Sequence, residues 1–301
     1  MDLDLDLDLT VPGPGDLARV GEALATWQHD GAGLQLHPGD LGWHSTHGAE
    51  ATASALRVWS TGGRPVALGL LDASQLLRVA VDPQLADDGG LAERMAADLA
   101  DPASGVLDAG QAVVEARAAA ALTRALTGAG WVPDETWTPL RRGLGEAPTP
   151  DPTGIRVEDV DDSTAPEWAR VHWSAFRGGE VPADQRDRYV LRWRTMGSGP
   201  FGDRARTLLG RDASGTAVAV VTVWSAGPGR PGLLEPMGVH EGHRGGGHGT
   251  AIVRAAARAL QAMGASSAVV CTPTDRVGAV RTYVAGGFTA QEPVPDLRRP
   301  A

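Results

Sequence analysis

The 301-residue chain contains no lysine and no asparagine, and all 27 of its basic residues are arginine. Without lysine there can be no Walker-type phosphate loop, no Schiff-base chemistry and no serine–lysine nucleophile pair. A single cysteine, Cys271, excludes an internal disulfide and is too few for a zinc–thiolate cluster. No apolar run approaches the ~18 residues needed to span a bilayer, and no basic-then-apolar leader opens the sequence. The expected setting is therefore cytoplasmic, with no membrane partner. The missing lysine, with the bias toward alanine, glycine, arginine and aspartate, points to a GC-rich genome and an actinobacterial source.

What is present is an ordinary globular balance, 42% hydrophobic and 21% charged, which excludes wholesale disorder. The length leaves room for two domains of about 150 residues each. A net charge of −10 argues against a nucleic-acid partner. Its distribution is uneven: residues 1–145 hold 20 Asp and Glu against 9 Arg, whereas residues 146–301 hold 17 against 18.

The stretch Gly145 to Thr153 has three prolines in nine residues and no apolar periodicity, so 146–153 reads as a linker. The segments on either side resemble each other. Asp16-Leu17-Ala18-Arg19-Val20 matches Glu167-Trp168-Ala169-Arg170-Val171. Gly130-Trp131 and Leu140-Arg141-Arg142 match Gly287-Phe288 and Leu297-Arg298-Arg299 at a constant shift of 157 residues. Matches in the same order at both ends indicate duplication of a whole domain.

Pattern then predicts an α/β chain. The second half reads as strand 155–160, helices 166–176 and 183–196, strands 205–211, 216–224 and 233–239, helix 250–263, strand 267–272 and helix 277–285. The first half repeats this, with helix 16–28, strands 55–60, 65–71 and 75–81, helix 91–100, strand 112–115 and helix 116–127. The opening MDLDLDLDLT is either an acidic tail or, from its strict period-2 alternation, the first strand of its half.

The chemistry concentrates between Leu233 and Phe288. An apolar strand ends at Val239, and after a short loop Arg244-Gly245-Gly246-Gly247-His248-Gly249 opens a helix at Thr250. Glycines let backbone wrap closely around an anion, and free N–H groups at a helix start add a positive dipole, which suits a pyrophosphate. The spacing does not fit G-x-G-x-x-G, so a dinucleotide fold is a poor alternative. His240, His243 and His248 have no accompanying H-E-x-x-H helix, and no metal is expected. Cys271, beside Val269 and Val270, reads as a small core residue.

Arg244-x-x-Gly247-x-Gly249, after a strand ending in Val239-His240, resembles the acetyl-CoA signature of the GCN5-related N-acetyltransferases, the GNAT superfamily. Downstream, Arg276-x-x-Ala279-Val280-x-x-Tyr283-x-x-x-Gly287-Phe288 is similar to that family's Asn-x-x-Ala-(Ile/Val)-x-x-Tyr-x-x-x-Gly-Phe helix, with Arg276 replacing the asparagine. The resemblance covers residues 153–301. It implies an α/β (α+β) fold of two tandem GNAT-like domains, each a mixed, mostly antiparallel sheet flanked by helices. The catalytic domain would span 154–301.

The resemblance also implies roles. Arg244 and the backbone amides of Gly245, Gly246, Gly247, His248, Gly249 and Thr250 would hold the acetyl-CoA pyrophosphate, with Arg276 nearby. The edge from Met237 to Val239 would pair with the pantetheine arm, and an N–H near Met237 would polarise the thioester carbonyl. Tyr283 would protonate the departing thiolate. Glu235, two residues before Met237 and expected on the same strand face, would take the proton of the amine directly or through water; otherwise it is a partly solvated, ion-paired carboxylate.

The first half keeps the plan without the site. The loop after its corresponding strand carries Asp87 and Asp88 in place of arginine and G-x-G, and the region of Tyr283 reads Leu122–Leu126. Residues 1–145 are thus expected to be a degenerate GNAT-like domain that binds no CoA and lends acidic residues to the acceptor pocket. The expected reaction is acetylation of a small-molecule or peptide primary amine, by a monomer or homodimer. A narrower variant is mycothiol synthase-like acetylation of a cysteinyl amino-sugar. The rival class is a non-catalytic acyl-CoA sensor or partner-binding module, against which the pair Glu235 and Tyr283 stands.

Overall fold

The computed structural model describes residues 6–145 and 154–300. The linker 146–153 and the first five residues of the acidic alternating segment lie outside the described residues. In the N-terminal half the elements are β1 (Leu7–Thr10), α1 (Leu17–Thr26), α2 (Pro38–His44), α3 (Ala49–Ser54), β2 (Leu56–Thr61), β3 (Arg64–Ala73), β4 (Leu76–Val81), α4 (Gly89–Ala100), β5 (Ala112–Glu115), α5 (Ala120–Gly128) and β6 (Val132–Gly143). The C-terminal half runs β7 (Arg156–Asp159), α6 (Ala165–Arg177), α7 (Ala183–Gly197), β8 (Ala205–Arg211), β9 (Ala217–Trp224), β10 (Gly232–Val239), α8 (His248–Ala262), β11 (Ser267–Pro273), α9 (Val277–Ala285), β12 (Thr289–Ala290) and β13 (Val294–Arg299). The described part of the opening segment is a strand, β1, pairing with β2 from Leu7↔Thr61 to Thr10↔Val58.

All thirteen strands among the described residues join one sheet, ordered β1-β2-β3-β4-β5-β13-β6-β11-β10-β9-β8-β7, with β12 alongside β6. Each half contributes four antiparallel strands and a fifth that pairs in parallel, β4 with β5 and β10 with β11. The centre is where sequence order breaks down. β6 of the N-terminal half pairs with β11, and β13 of the C-terminal half pairs with β5. Each half therefore closes the open edge of the other half's fifth strand, an edge that would otherwise expose a row of unpaired backbone groups. An ionic clamp fastens the exchange. Arg117 lies 2.7 Å from Glu115 and 3.0 Å from Asp296 on β13, all three almost wholly buried. Its guanidinium also stacks 4.7 Å from the Trp137 ring of β6.

Four packing zones result; in the fourth, Trp168, Val171, Val190 and Leu209 hold α6 and α7 against β8. Leu77, Val79, Met95 and Leu99 pack α4 against the sheet, and Leu234, Ile252, Val253 and Leu260 do the same for α8. The third zone is shared: Leu17, Leu24, Leu68 and Leu70 bury with Phe201, Trp224, Leu233 and Val269. At about 1.5–3 kcal/mol per buried large side chain, those last four are together worth up to roughly 6–12 kcal/mol, comparable with the whole stability of a domain. The joint is a core, not a contact.

The helix α2 was not foreseen because Gly39 and Gly42 are poor helix formers. They are required there: a Cβ at either position would collide with the Trp224 ring that lies against α2. His37 caps the helix, accepting from Gly39 N through Nδ1 at 2.9 Å. That bond places the ring proton on Nε2, which donates to Pro231 O of the other half at 3.1 Å.

Candidate active site

The site begins where β10 parts from β11. The two strands pair at Gly232↔Ala268 and Leu233↔Val269 and then diverge, while β10 stays paired to β9 as far as Val239↔Ala219. Beyond Leu233 the edge of β10 that faces β11 is left open. Glu235 and Pro236 stand opposite one residue of β9, between Leu234↔Val223 and Met237↔Val221. This irregularity corrects the expectation that Glu235 and Met237 share a face. The extra residue shifts the alternation, so Met237 packs with Leu234 under α8, whereas Glu235 turns toward Arg78 of the other half.

At the far end of β10 the glycine loop leads into α8. Gly245 and Gly247 both have φ of +81°, in the left-handed region that glycine enters without strain. No side chain caps α8. The helix's own bonding starts with Ala251 N to Gly247 O, so the N–H groups of His248, Gly249 and Thr250 precede it and are free for an anion. Gly249 has a packing role, since a Cβ there would stand 2.9 Å from Thr282 on α9. Arg244 does not point into the cradle; its Nη2 donates to Ala175 O at the end of α6, at 2.9 Å. Arg276 is exposed at the start of α9.

Glu235 lies at the hub of the joint. Arg78, on β4, reaches Asp40 at 2.8 Å, Glu115 at 3.3 Å, Glu235 at 3.6 Å and Asp72 at 3.9 Å. Asp40 is buried, but Glu235 keeps 34% of its side chain accessible. Enclosure within the joint pushes its pKa up to about 8. Arg78 opposes the rise and Asp40 adds to it. Sequence reasoning anticipated carboxylates from the N-terminal half near the acceptor but missed Arg78. The 157-residue shift held the signal, since it places Arg78 on Glu235.

Tyr283, on α9, is 6% exposed and packs in the core beneath α8, with its ring 5.9 Å from Phe288. Burial raises its pKa far above the ordinary phenol value, and the charge of Glu235 raises it further. The phenol thus keeps its proton and lies within electrostatic range of Glu235. Cys271 is no nucleophile, since burial pushes its thiol up to about 12. His240 accepts from Gly242 N at 3.2 Å, and no cluster of metal-ligating side chains occurs among the described residues.

The corresponding place in the N-terminal half is closed. The ladder between β4 and β5 continues two positions further, to Arg78↔Glu115, and their side chains bridge the opening. Asp88 caps α4 itself, accepting from Leu91 N at 2.8 Å, so a carboxylate already sits where a phosphate would bind. Leu126, fully buried, stands 157 residues before Tyr283. The opening beside the fifth strand and the free helix start of one half are filled in the other.

Residues 165–288 match the family model "Acetyltransferase (GNAT) family". No curated protein shows a significant sequence match. Among solved structures, a tandem GNAT protein from the clavulanic acid biosynthesis pathway, without AcCoA, aligns over 98% of both chains at 16% identity and TM-score 0.59. A GCN5-related N-acetyltransferase from Sphaerobacter thermophilus covers 99% of this chain and 96% of its own at 18% identity and TM-score 0.54. A GNAT-family acetyltransferase from Colwellia psychrerythraea covers 97% and 98% at 13% identity and TM-score 0.57. At these identities the likeness is one of fold. No helix among the described residues is long and apolar enough to cross a membrane.

Proposed function

Starting from a chain with the tandem GNAT fold whose C-terminal half is a GNAT acetyltransferase domain, we propose that it acetylates a primary amine at one site, the opening between β10 and β11. The observation that carries this reading is the open edge of β10 running between Glu235, which lies in electrostatic range of the buried, protonated Tyr283, and the free N–H groups that open α8. Acetyl-CoA bound there supplies an activated acetyl thioester. The free N–H groups of the first turn of α8 hold its pyrophosphate, and the open edge of β10 holds its pantetheine arm.

The chain's own residues then move the protons. Glu235 takes one from the acceptor ammonium, directly or through water, leaving a neutral amine able to attack. A backbone N–H near Met237 donates to the carbonyl oxygen as negative charge grows on it. Tyr283, which holds its proton until negative charge develops on the departing sulfur, delivers it there.

Thiol release from acetyl-CoA, measured against polyamines, aminoglycosides, amino acids, peptide N-termini and cysteinyl amino-sugars, tests the proposal. A hit abolished in Tyr283→Phe, with acetyl-CoA binding intact, supports it. Binding of acetyl-CoA once per chain with silence across the panel would favour an acyl-CoA sensor.

A further inference from the structure

A cavity of about 260 Å³ lies where α6 and α7 meet the N-terminal half. Its wall is aromatic: Trp43, Trp168, Phe176 and Tyr189 surround His172 at ring-centre distances of 4.7–5.5 Å. His172 is 7% exposed, and neither ring nitrogen has a hydrogen-bond partner. Bare buried polar atoms of this kind call for a ligand or solvent partner, because an unmet bond there costs about 1–3 kcal/mol. Burial and the nearby Arg177 push its pKa down to about 4, so the ring is neutral and offers one donor and one acceptor.

The rim carries the opposite character. Arg177 and Arg192 line the cavity, and neither has a carboxylate partner among the described residues. On the same helix Arg194 pairs with Asp162 at 2.8 Å, which leaves Arg192 as the α7 arginine at the cavity. An aromatic box alone would suit a cation. Two uncompensated guanidiniums at its mouth repel one and attract an anion instead. The larger groove of about 450 Å³ between β7 and α8 offers no such demand, since its Arg206 already pairs with Asp159.

The cavity is also joined to the proposed base. Trp43 lies three residues after Asp40 on α2, about 4.5 Å along the helix axis. Asp40 contacts Arg78, and Arg78 contacts Glu235. We infer that the cavity seats a planar aryl group bearing a carboxylate, and that the acceptor is an arylalkylamine whose ring carries this anion at the end away from the amine. The ring stacks among the tryptophans, the carboxylate meets Arg177 and Arg192, and the amine points along α2 toward Glu235. The second part of this inference rests on the proposed reaction; the first does not.

Quenching of tryptophan fluorescence, read without acetyl-CoA, separates the two. The probes are 4-ethylbenzoate, 4-ethylbenzyl alcohol and 4-ethylbenzylamine, matched in size and differing in charge. The benzoate is expected to bind at least about ten-fold more tightly than the alcohol, and the ammonium probe more weakly still. Because both arginines are exposed, Arg177→Gln/Arg192→Gln keeps its fold and loses the preference for the benzoate. Tighter binding of the ammonium probe, no discrimination, or no binding of any probe overturns the inference. Turnover is read separately, with 4-(2-aminoethyl)benzoate expected to outrun 2-phenylethylamine by about ten-fold in kcat/KM. If other amines are acetylated but 4-ethylbenzoate does not bind, the cavity assignment falls and the reaction stands. If 4-ethylbenzoate binds and no amine is acetylated, the reaction falls and the cavity remains an aryl-anion site.

Discussion

Arg78 and Glu235 touch across the joint, Nη1 to Oε1 at 3.6 Å, and they are the same position in two repeats. They stand 157 residues apart, each one residue after a leucine, Leu77 or Leu234, that packs into the core of its own half. Duplication placed two equivalent side chains face to face, and the guanidinium of one now meets the carboxyl of the other.

Replacing Arg78 by methionine leaves Asp40 buried without its cation, while Glu115 keeps Arg117. Removing one partner of a buried ion pair destabilises by about 3–5 kcal/mol. Urea unfolding of Arg78→Met is expected to show a loss of that size, and a loss below about 1 kcal/mol would mean that Asp40 is satisfied elsewhere.

With Glu235 as the proposed base, its raised pKa predicts the pH profile. A base works only when deprotonated, so kcat/KM should climb as pH rises through about 8 and level off above it. Glu235→Gln is expected to lower kcat/KM by about 10²–10⁴-fold and to erase that limb. A limb that survives the substitution belongs to the amine substrate or to another group.

Tyr283→Phe removes one oxygen from a core position and should leave the fold and acetyl-CoA affinity unchanged. A fall in kcat of about 10²–10⁴-fold is expected from loss of a general acid. Unchanged kcat would take Tyr283 out of the mechanism.

Titration calorimetry should count one acetyl-CoA per chain, because Asp88 occupies the N-terminus of α4 while that of α8 is uncapped. Gly247→Val, at φ +81°, should then abolish binding altogether. Two equivalent sites would show that the N-terminal half is not closed.

Acid should loosen the joint. His37 and His172 have pKa values pushed down to about 4 by burial, while the unfolded chain takes up these protons near 6.5. Their contribution is complete above pH 6.5 and is lost as pH falls from there toward 4, at most about 3 kcal/mol each. Protonating His37 would also set a second N–H against that of Gly39. His172→Phe should flatten the decline between pH 6.5 and 4; an unchanged slope would assign it to other groups.

The legible parts of the molecule were the local ones. β5, β8 and α9 have the bounds that alternation, helical period and glycine stops predict. That the glycine loop opens α8 and that Tyr283 lies on α9 could be read because each belongs to a short motif set by neighbours in sequence. α2 could not, since Gly39 and Gly42 answer to Trp224, which is distant in the chain. Nor could the exchange of β6 and β13, because strand pairing is a long-range choice that leaves no period. The bulge at Glu235 hid behind simple alternation, although Pro236 was a warning that the ladder is interrupted there.

The position of β13 has a consequence for how the protein is made. The strand that completes the N-terminal sheet is residues 294–299, translated after the entire second half. At about 5–20 residues per second the edge of β5 stands open for roughly 10–40 s while the rest emerges. During that interval the nascent first half is an unfinished sheet whose edge any neighbouring chain on the same message could occupy. Translation speed through the second half, and the crowding of ribosomes behind it, thus bear on whether each chain closes on itself or on its neighbour.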